Sequence, residues 1–171
     1  MSRWRVGVAA MVVGAGTAWA ETGKAVIRGT TEGSQVAGVA VLEETPAGVK
    51  VVVTVAHASP GLHGLHIHQY GRCEDGGQAA VGHYNPDGVK HGFVTNDGLR
   101  QAHAGDLGNI EIGEDGTGSL ELVAPSVRLS GDRYTVGGRA IILHEKEDDF
   151  GQPTGNAGGR IGCGVMTITG E

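Results

Sequence analysis

Histidine is the residue type with the clearest chemical potential in this chain, and its distribution is uneven. Seven of the eight histidines lie between His63 and His144. Imidazole is a good ligand for zinc, copper, iron and nickel, whereas calcium and magnesium need many more oxygen ligands than these segments supply. Since one zinc ion needs fewer than seven histidines, the pattern indicates a centre with two transition-metal ions.

Two of these histidines, His66 and His68, are two residues apart in a run that is typical of a β-strand. Side chains at this spacing leave the same face of a sheet, close enough to bind one ion. Two ordinary surface histidines would give the same pattern, so the pair alone is weak evidence. The concentration of further histidines downstream makes a metal site the leading explanation.

The elements that must position these histidines are strands. The chain contains 32 glycines, only 4% aromatic residues and no convincing helical period after the N-terminus, which predicts short strands joined by turns. Eight such strands can be placed along the chain, and this number predicts an all-β antiparallel sandwich or barrel. The predicted strands are residues 24–31, 36–43, 50–56, 64–68, 106–112, 118–122, 139–145 and 162–169.

Two long connections interrupt the even spacing of these strands, residues 69–104 and residues 146–161. Connections of this length in a compact domain are usually functional. The second leads from the His144 strand towards Arg160 and Cys163. The first holds Cys73, His83, His91 and His103.

Six runs of sequence, taken together and in this order, resemble the copper/zinc superoxide dismutases, in particular the exported bacterial type. They are GLHGLHIH (61–68), GHYNP (82–86), KHG (90–92), HAGDLGN (103–109), HEK (144–146) and GNAGGRIGCGV (155–165). The runs extend over nearly all of the chain after the N-terminal segment. The resemblance implies an eight-stranded Greek-key β-sandwich or barrel.

The resemblance also implies a set of ligands for two metals, with His83 shared between them as a bridging imidazolate. Four nitrogens suit Cu(II), and three nitrogens with one carboxylate suit tetrahedral zinc. The implied copper ligands are His66, His68, His83 and His144. The implied zinc ligands are His83, His91, His103 and Asp106.

Two further residues receive roles from the resemblance. Asp148 is expected to accept hydrogen bonds from the outer nitrogens of His66 and His91, which would fix both rings. Arg160 is expected to attract and orient the substrate, because a fixed guanidinium in a cleft steers a small anion. His63 is expected to be a structural neighbour, and His57 matches no motif.

The implied activity is dismutation of superoxide to oxygen and hydrogen peroxide by a redox-cycling copper, with zinc as a structural ion. Two other classes of protein use similar ligands. A metal carrier would bind without turnover, but it would favour clustered thiolates or thioethers, and the three methionines form no cluster. A two-zinc hydrolase also uses His-x-His pairs, but Tyr70 stands where such motifs commonly have an aspartate.

The chain departs from the family pattern between Asp149 and Thr154. This segment is shorter than in the eukaryotic members that the chain otherwise resembles, and the acids and lysine that those members carry there are absent. We therefore expect electrostatic steering to depend on Arg160 and on lysines elsewhere.

The first twenty residues predict a cleavable signal peptide. Arg3 and Arg5 precede an apolar run, and Ala18 and Ala20 favour cleavage before Glu21. The run is too short for a membrane anchor. We therefore expect a periplasmic or secreted protein with one domain over residues 21–171, and in that compartment Cys73 and Cys163 are expected to form a disulfide.

The charge of the chain limits its partners. The formal net charge is −6 at pH 7, which argues against nucleic acid as a partner, since phosphate binding needs a basic face. A superoxide anion is a different case, because it responds to the local field in a cleft. A homodimer is among the assemblies that the resemblance implies, with contacts on different surfaces in different branches of the family.

Overall fold

Alternating burial along the strands builds the core. The computed structural model describes residues 20–170, so residues 1–19 of the predicted signal peptide lie outside the described residues. In the third strand, every second residue is a valine that points inward: Val49, Val51, Val53 and Val55 are buried. A period of two is expected for a sheet with one face on a core. Among the described residues, no helix is long and apolar enough to cross a membrane.

Nine strands and two short helical segments make up the described chain. Two strands precede the third one: β1 is Thr22–Gly29 and β2 is Ala37–Thr45. A 3₁₀ segment, Asp75–Ala80, and a single helical turn, α1, Val94–Asp97, lie in the first long connection. The other strands are β3 (Gly48–Ala56), β4 (Gly61–Ile67), β5 (Asp106–Ile112), β6 (Gly118–Pro125), β7 (Ala140–His144), β8 (Arg160–Val165) and β9 (Thr167–Gly170).

The strands close into a barrel, which confirms the predicted fold class. The order is β2-β3-β6-β5-β4-β7-β8-β1-β9, and an additional β1–β2 pairing closes the ring of eight. All pairings between strands are antiparallel. The chain passes over two strands between β3 and β4 and again between β6 and β7, which is Greek-key topology.

The ninth strand and a third connection were not predicted from the sequence. The predicted strand 162–169 is interrupted at Met166, which is buried and exchanges main-chain hydrogen bonds with Gly138 and Arg139 before β9 resumes pairing with β1. The third connection, residues 126–139, is the Greek-key crossover between β6 and β7. Its two ends lie on opposite sides of the β5–β4 pair, so the chain needs this length to cross.

The two predicted long connections leave the barrel where the histidines lie. The first runs from the end of β4 to the start of β5, and the second from the end of β7 to the start of β8. Since β4 and β7 are antiparallel, with Ile67 at the end of β4 opposite Ile141 near the start of β7, the two connections leave this pair at opposite ends. They meet again where Asp148 of the second connection contacts His91 of the first.

Candidate metal centre

The first cluster of ligands contains four buried histidines: His66, His68, His83 and His144. His66 lies in β4 opposite Ile142 of β7, and His144 ends β7. His68 directly follows β4 and forms an isolated bridge with His83 of the first connection. One ring nitrogen of each of the four lies within 4.8 Å of the others. The structure therefore brings together all four residues predicted as copper ligands.

Hydrogen bonds on the outer nitrogens turn three of these rings toward a common point. His68 Nδ1 lies 2.9 Å from the carbonyl oxygen of Val81, and His144 Nδ1 lies 3.4 Å from that of Gly158. Their Nε2 atoms are 3.3 Å apart. His66 is reversed, with Nε2 bonded to Asp148, so its Nδ1 faces the cluster. Outer bonds of this kind fix the tautomer and ring orientation of a metal ligand.

The second cluster adds a carboxylate. Asp106, the first residue of β5, lies between three imidazoles, with Oδ1 at 2.9 Å from His83 Nδ1 and 3.0 Å from His103 Nδ1. The other oxygen, Oδ2, lies 2.9 Å from His91 Nδ1. All four residues are buried, and their ligand atoms lie within 4.8 Å of one another. These four residues are the ones predicted as zinc ligands.

His83 belongs to both clusters. Its Nδ1 faces Asp106 and His103, which leaves Nε2 for the four-histidine cluster. Its ring centroid is 4.0 Å from that of His66 on one side, and its ring lies 5.5 Å from that of His103 on the other. A single imidazole between two sets of donors can join two metal ions through its two nitrogens.

Asp148 connects the clusters by a second route. Its Oδ2 lies 2.7 Å from His66 Nε2, and its two oxygens lie 2.9 and 3.0 Å from His91 Nε2. Asn109 holds the main chain of Asp148 at both polar groups, accepting from its N–H at 2.7 Å and donating to its carbonyl at 2.9 Å. The carboxylate is fully buried. It contacts the two histidines that were expected from the sequence.

Burial dominates the electrostatics of the four-histidine cluster. It lowers the pKa of His68 to about 2 and that of His144 to about 3. Burial also lowers the pKa of His83, to about 4, against an opposing contact with Asp106. These imidazoles are neutral at pH 7, and neutral imidazole is the form that binds a metal.

Charge pairing dominates the second cluster. Burial would lower the pKa of His91, but contacts with Asp106 and Asp148 outweigh it and raise the pKa to about 9. Burial would likewise raise the pKa of Asp106, but contacts with His103, His83 and His91 hold it well below the ordinary range. Without a metal, this cluster holds an ionised carboxylate beside a protonated imidazole at neutral pH.

Arg160 begins β8, next to the four-histidine cluster. Its guanidinium donates to the carbonyl of Gly77, at 2.5 Å, and to the carbonyl of Val81. Val81 also accepts from His68, so one carbonyl orients both a candidate copper ligand and the cation. The Arg160 residue is partly exposed, and burial lowers the pKa of its guanidinium. A cation held in this way can position a small anion.

A disulfide joins the segment after Arg160 to the first connection. Cys73 and Cys163 are bonded, as predicted, with Cα atoms 5.7 Å apart and a sequence separation of 90 residues. Such a bond is worth about 2–4 kcal/mol in a long loop. It fixes the end of the first connection that carries Gly77 and Val81, the two acceptors of Arg160.

The donor atoms in the two clusters fit copper and zinc. His66 Nδ1 and His91 Nδ1 are buried and have no hydrogen-bond partner among the described residues. For His91, the 2.9 Å contact with Asp106 lacks the direction of a hydrogen bond, so Nδ1 can bind an ion once the imidazole has lost its proton. A buried imidazole nitrogen without a partner is costly unless an ion binds it.

The two remaining histidines in the described chain lie outside the clusters. His63 is buried, and its ring nitrogens each lie 2.8 Å from a carbonyl oxygen, of His144 and of Ser59. It therefore supports the main chain of His144, in the structural role expected from the sequence. His57 is exposed at the end of β3.

Three supporting residues were missed by the sequence reasoning. Asn109 ends the HAGDLGN run, and a polar residue within a largely buried strand is a signal that could have found it. Val81 acts through its carbonyl, for which sequence carries no signal. Gln152 lies in the shortened segment and contacts His91.

The chain is similar to known proteins in both sequence and structure. A family model described as copper/zinc superoxide dismutase matches residues 36–166. Among solved structures, the chain is similar to one described as a crystal structure analysis of the clock protein EA4, with 36% sequence identity and a TM-score of 0.76. The similarity covers 90% of this chain and 98% of that chain.

Proposed function

Because the chain belongs to the copper/zinc superoxide dismutase family, whose cofactors are copper and zinc, we propose that it dismutes superoxide at a copper bridged by His83 to zinc. Two superoxide anions and two protons give one oxygen and one hydrogen peroxide. The observation that carries the proposal is the position of His83, whose two ring nitrogens face different ligand clusters.

The donor sets support one assignment of the ions. Copper is assigned to the cluster of His66, His68, His83 and His144, because four imidazoles suit Cu(II). Zinc is assigned to the cluster of His83, His91, His103 and Asp106, because three nitrogens and a carboxylate suit a tetrahedral ion. Bound copper supplies the one-electron redox chemistry, whereas zinc is redox-inert.

The protein's own groups supply the anion binding and a proton site. Arg160 is held by Gly77 and Val81 beside His68, so it can orient a superoxide anion next to the four-histidine cluster. His83 is held at Nδ1 by the second cluster. Any proton that His83 takes up and then donates to the substrate therefore resides on Nε2, which faces the four-histidine cluster. Asp148 keeps the rings of His66 and His91 in place during such a transfer.

Superoxide dismutation by the protein loaded with copper and zinc tests the proposal. We expect fast turnover in the loaded wild type, and none above buffer in the metal-free form or in His68→Ala. The matched control is His57→Ala, which removes an exposed histidine outside the clusters and should leave turnover unchanged. Uptake of both ions without turnover would instead identify a metal-binding protein.

Export is a second part of the proposal. Residues 1–20 would act as a signal peptide, and residues 21–171 would function in the periplasm or outside the cell. The disulfide Cys73–Cys163 supports this location, because such bonds persist in oxidising compartments. N-terminal sequencing of the protein recovered from the periplasm or medium should begin at Glu21, and recovery of the full chain from the cytoplasm would contradict export.

A further inference from the structure

Gln152 pairs with the main chain of a candidate zinc ligand. The N–H of His91 donates to Gln152 Oε1 at 3.1 Å, and Gln152 Nε2 donates to the carbonyl oxygen of His91 at 2.8 Å. A side-chain amide has one acceptor and one donating group side by side, so it can bind a peptide unit as a neighbouring strand would. No other described residue pairs with the main chain of His91.

The segment around Gln152 contacts His91 in two further ways. Asp148 binds the ring at Nε2, and the ring of Phe150 lies nearly parallel to the imidazole, with centroids 6.4 Å apart and an interplanar angle of 18°. The N–H of Phe150 donates to Asp148 Oδ1 at 2.8 Å. Residues 148–152 thus hold the outer nitrogen, one face and the main chain of a single histidine.

These contacts leave one atom of His91 free for an ion. Its Nδ1 is buried, has no hydrogen-bond partner among the described residues and faces Asp106 in the second cluster. The direction in which the lone pair of His91 Nδ1 points depends on the position of the main chain as well as on the orientation of the ring. Asp148 can fix the ring, and Asp106 holds the peptide group after His91 by accepting from the N–H of Gly92 at 2.9 Å. Among the described residues, only Gln152 holds the peptide groups on both sides of the His91 Cα.

We propose that Gln152 is a positioning residue for zinc: by pairing with the main chain of His91, it holds His91 Nδ1 at the ligand cluster and slows release of the ion. This proposal rests on the proposed function, which assigns zinc to that cluster. The proposal also assigns a function to the shortened segment between Asp149 and Thr154. The side chains between Asp149 and Thr154 carry no charge that could steer an anion, and two of them hold the zinc ligand instead.

The rate of zinc release from the protein loaded with copper and zinc tests this role. Excess chromogenic chelator would be added to wild type, Gln152→Ala, Gln152→Glu and Gln35→Ala, and zinc and copper release would be followed separately. Gln35 is an exposed glutamine in the β1–β2 turn. Within residues 20–170 its amide bonds only to the carbonyl oxygen of Gly33, so it is the matched control.

We expect Gln152→Ala to release zinc about tenfold faster than wild type, within the range seen when support of a ligand is lost. Gln152→Glu should also be faster, because its carboxylate can accept from the N–H of His91 but has no donor for the carbonyl. Copper release should change less than twofold, and Gln35→Ala should match wild type. Cobalt placed in the zinc site should show an altered visible spectrum in both Gln152 variants.

Three results would overturn the role of Gln152. The first is equal zinc release from Gln152→Ala and wild type. The second is an equal acceleration of copper and zinc release, which would mean general loosening of the loop. The third is wild-type behaviour of Gln152→Glu beside fast release from Gln152→Ala, which would mean packing rather than pairing. Failure of the wild type to take up zinc or cobalt at all would overturn the zinc assignment as well.

Discussion

The two ligand clusters share His83 and are equally buried, yet they use burial in opposite ways. In the four-histidine cluster, burial lowers the pKa of every imidazole, so the ligands stay neutral. In the cluster around Asp106, ion pairing overcomes burial and keeps a charged carboxylate and a charged His91 together. The first cluster can bind an ion directly, whereas the second must first lose a proton.

The clusters also differ in the elements that carry them. His66 and His144 lie on β4 and β7, which pair in the barrel wall. His91 and His103 lie in the first long connection, and only Asp106 of that cluster belongs to a strand. The barrel therefore orders much of the four-histidine cluster by itself, while the cluster around Asp106 depends on contacts between loops, including those made by residues 148–152.

Removal of one ligand from each cluster gives the largest expected contrast. His144→Ala should reduce dismutation to the level of the metal-free protein while the protein retains zinc, because His144 belongs only to the four-histidine cluster, to which we assign copper. His103→Ala should lose zinc and retain copper and part of the activity. Metal analysis and activity assays on the same samples check both results, and loss of both ions in both variants would show that the clusters are not separable.

Loss of Asp148 should affect the zinc side more than the copper side. Both of its oxygens contact His91 Nε2, whereas one oxygen contacts His66. We expect Asp148→Ala to weaken zinc binding by about 10–100-fold, as is usual when a partner of a ligand is removed. Competition with a chelator of known affinity measures this. Glu147→Ala removes an exposed neighbouring carboxylate and should have no effect.

Loss of Arg160 should have a smaller effect, on dismutation and not on metal binding. Arg160→Ile removes the cation next to His68 without removing a ligand, so we expect dismutation to fall about tenfold with both ions retained. The remaining activity should also depend less on ionic strength, because salt screens steering by a fixed charge. Rates measured from low to high salt check this, and an unchanged salt dependence would mean that other charges steer the substrate.

The features that follow a regular spacing along the chain could be predicted from sequence. Alternating valines predict β3, and the two-residue spacing of His66 and His68 places them on one face. The two ligand sets came from resemblance, because the residues that meet are up to 78 positions apart, between His66 and His144, and no spacing rule joins them.

The unpredicted parts depend on main-chain geometry and on contacts between loops. Val81 has a φ of 63°, which a β-branched residue rarely adopts, and its useful atom is a carbonyl. Gln152 acts on a main chain 61 residues away. The interruption at Met166 depends on hydrogen bonds to the neighbouring crossover rather than on a glycine or proline at that site. Local pattern carries none of this information.

The last and smallest expected difference between the clusters is a single proton. The pKa of His91 is about 9 in the folded, metal-free protein, above the usual value of 6.5, so this imidazole is protonated at pH 7.5. Zinc binds only its neutral form, and binding should therefore release about one proton from His91 at pH 7.5. The release should decline as the pH rises through 9, since the proton is then already lost.

Calorimetry of zinc binding to the metal-free protein, in two buffers with different ionisation enthalpies, measures this proton. The histidines on the copper side should contribute none in the zinc titration, because their lowered pKa values leave them neutral well below pH 7.5. Asp148→Ala should reduce the release at pH 7.5, since the carboxylate helps to keep His91 charged. Zinc binding without proton release at pH 7.5 would remove the electrostatic difference between the clusters and leave only the difference in their supporting elements.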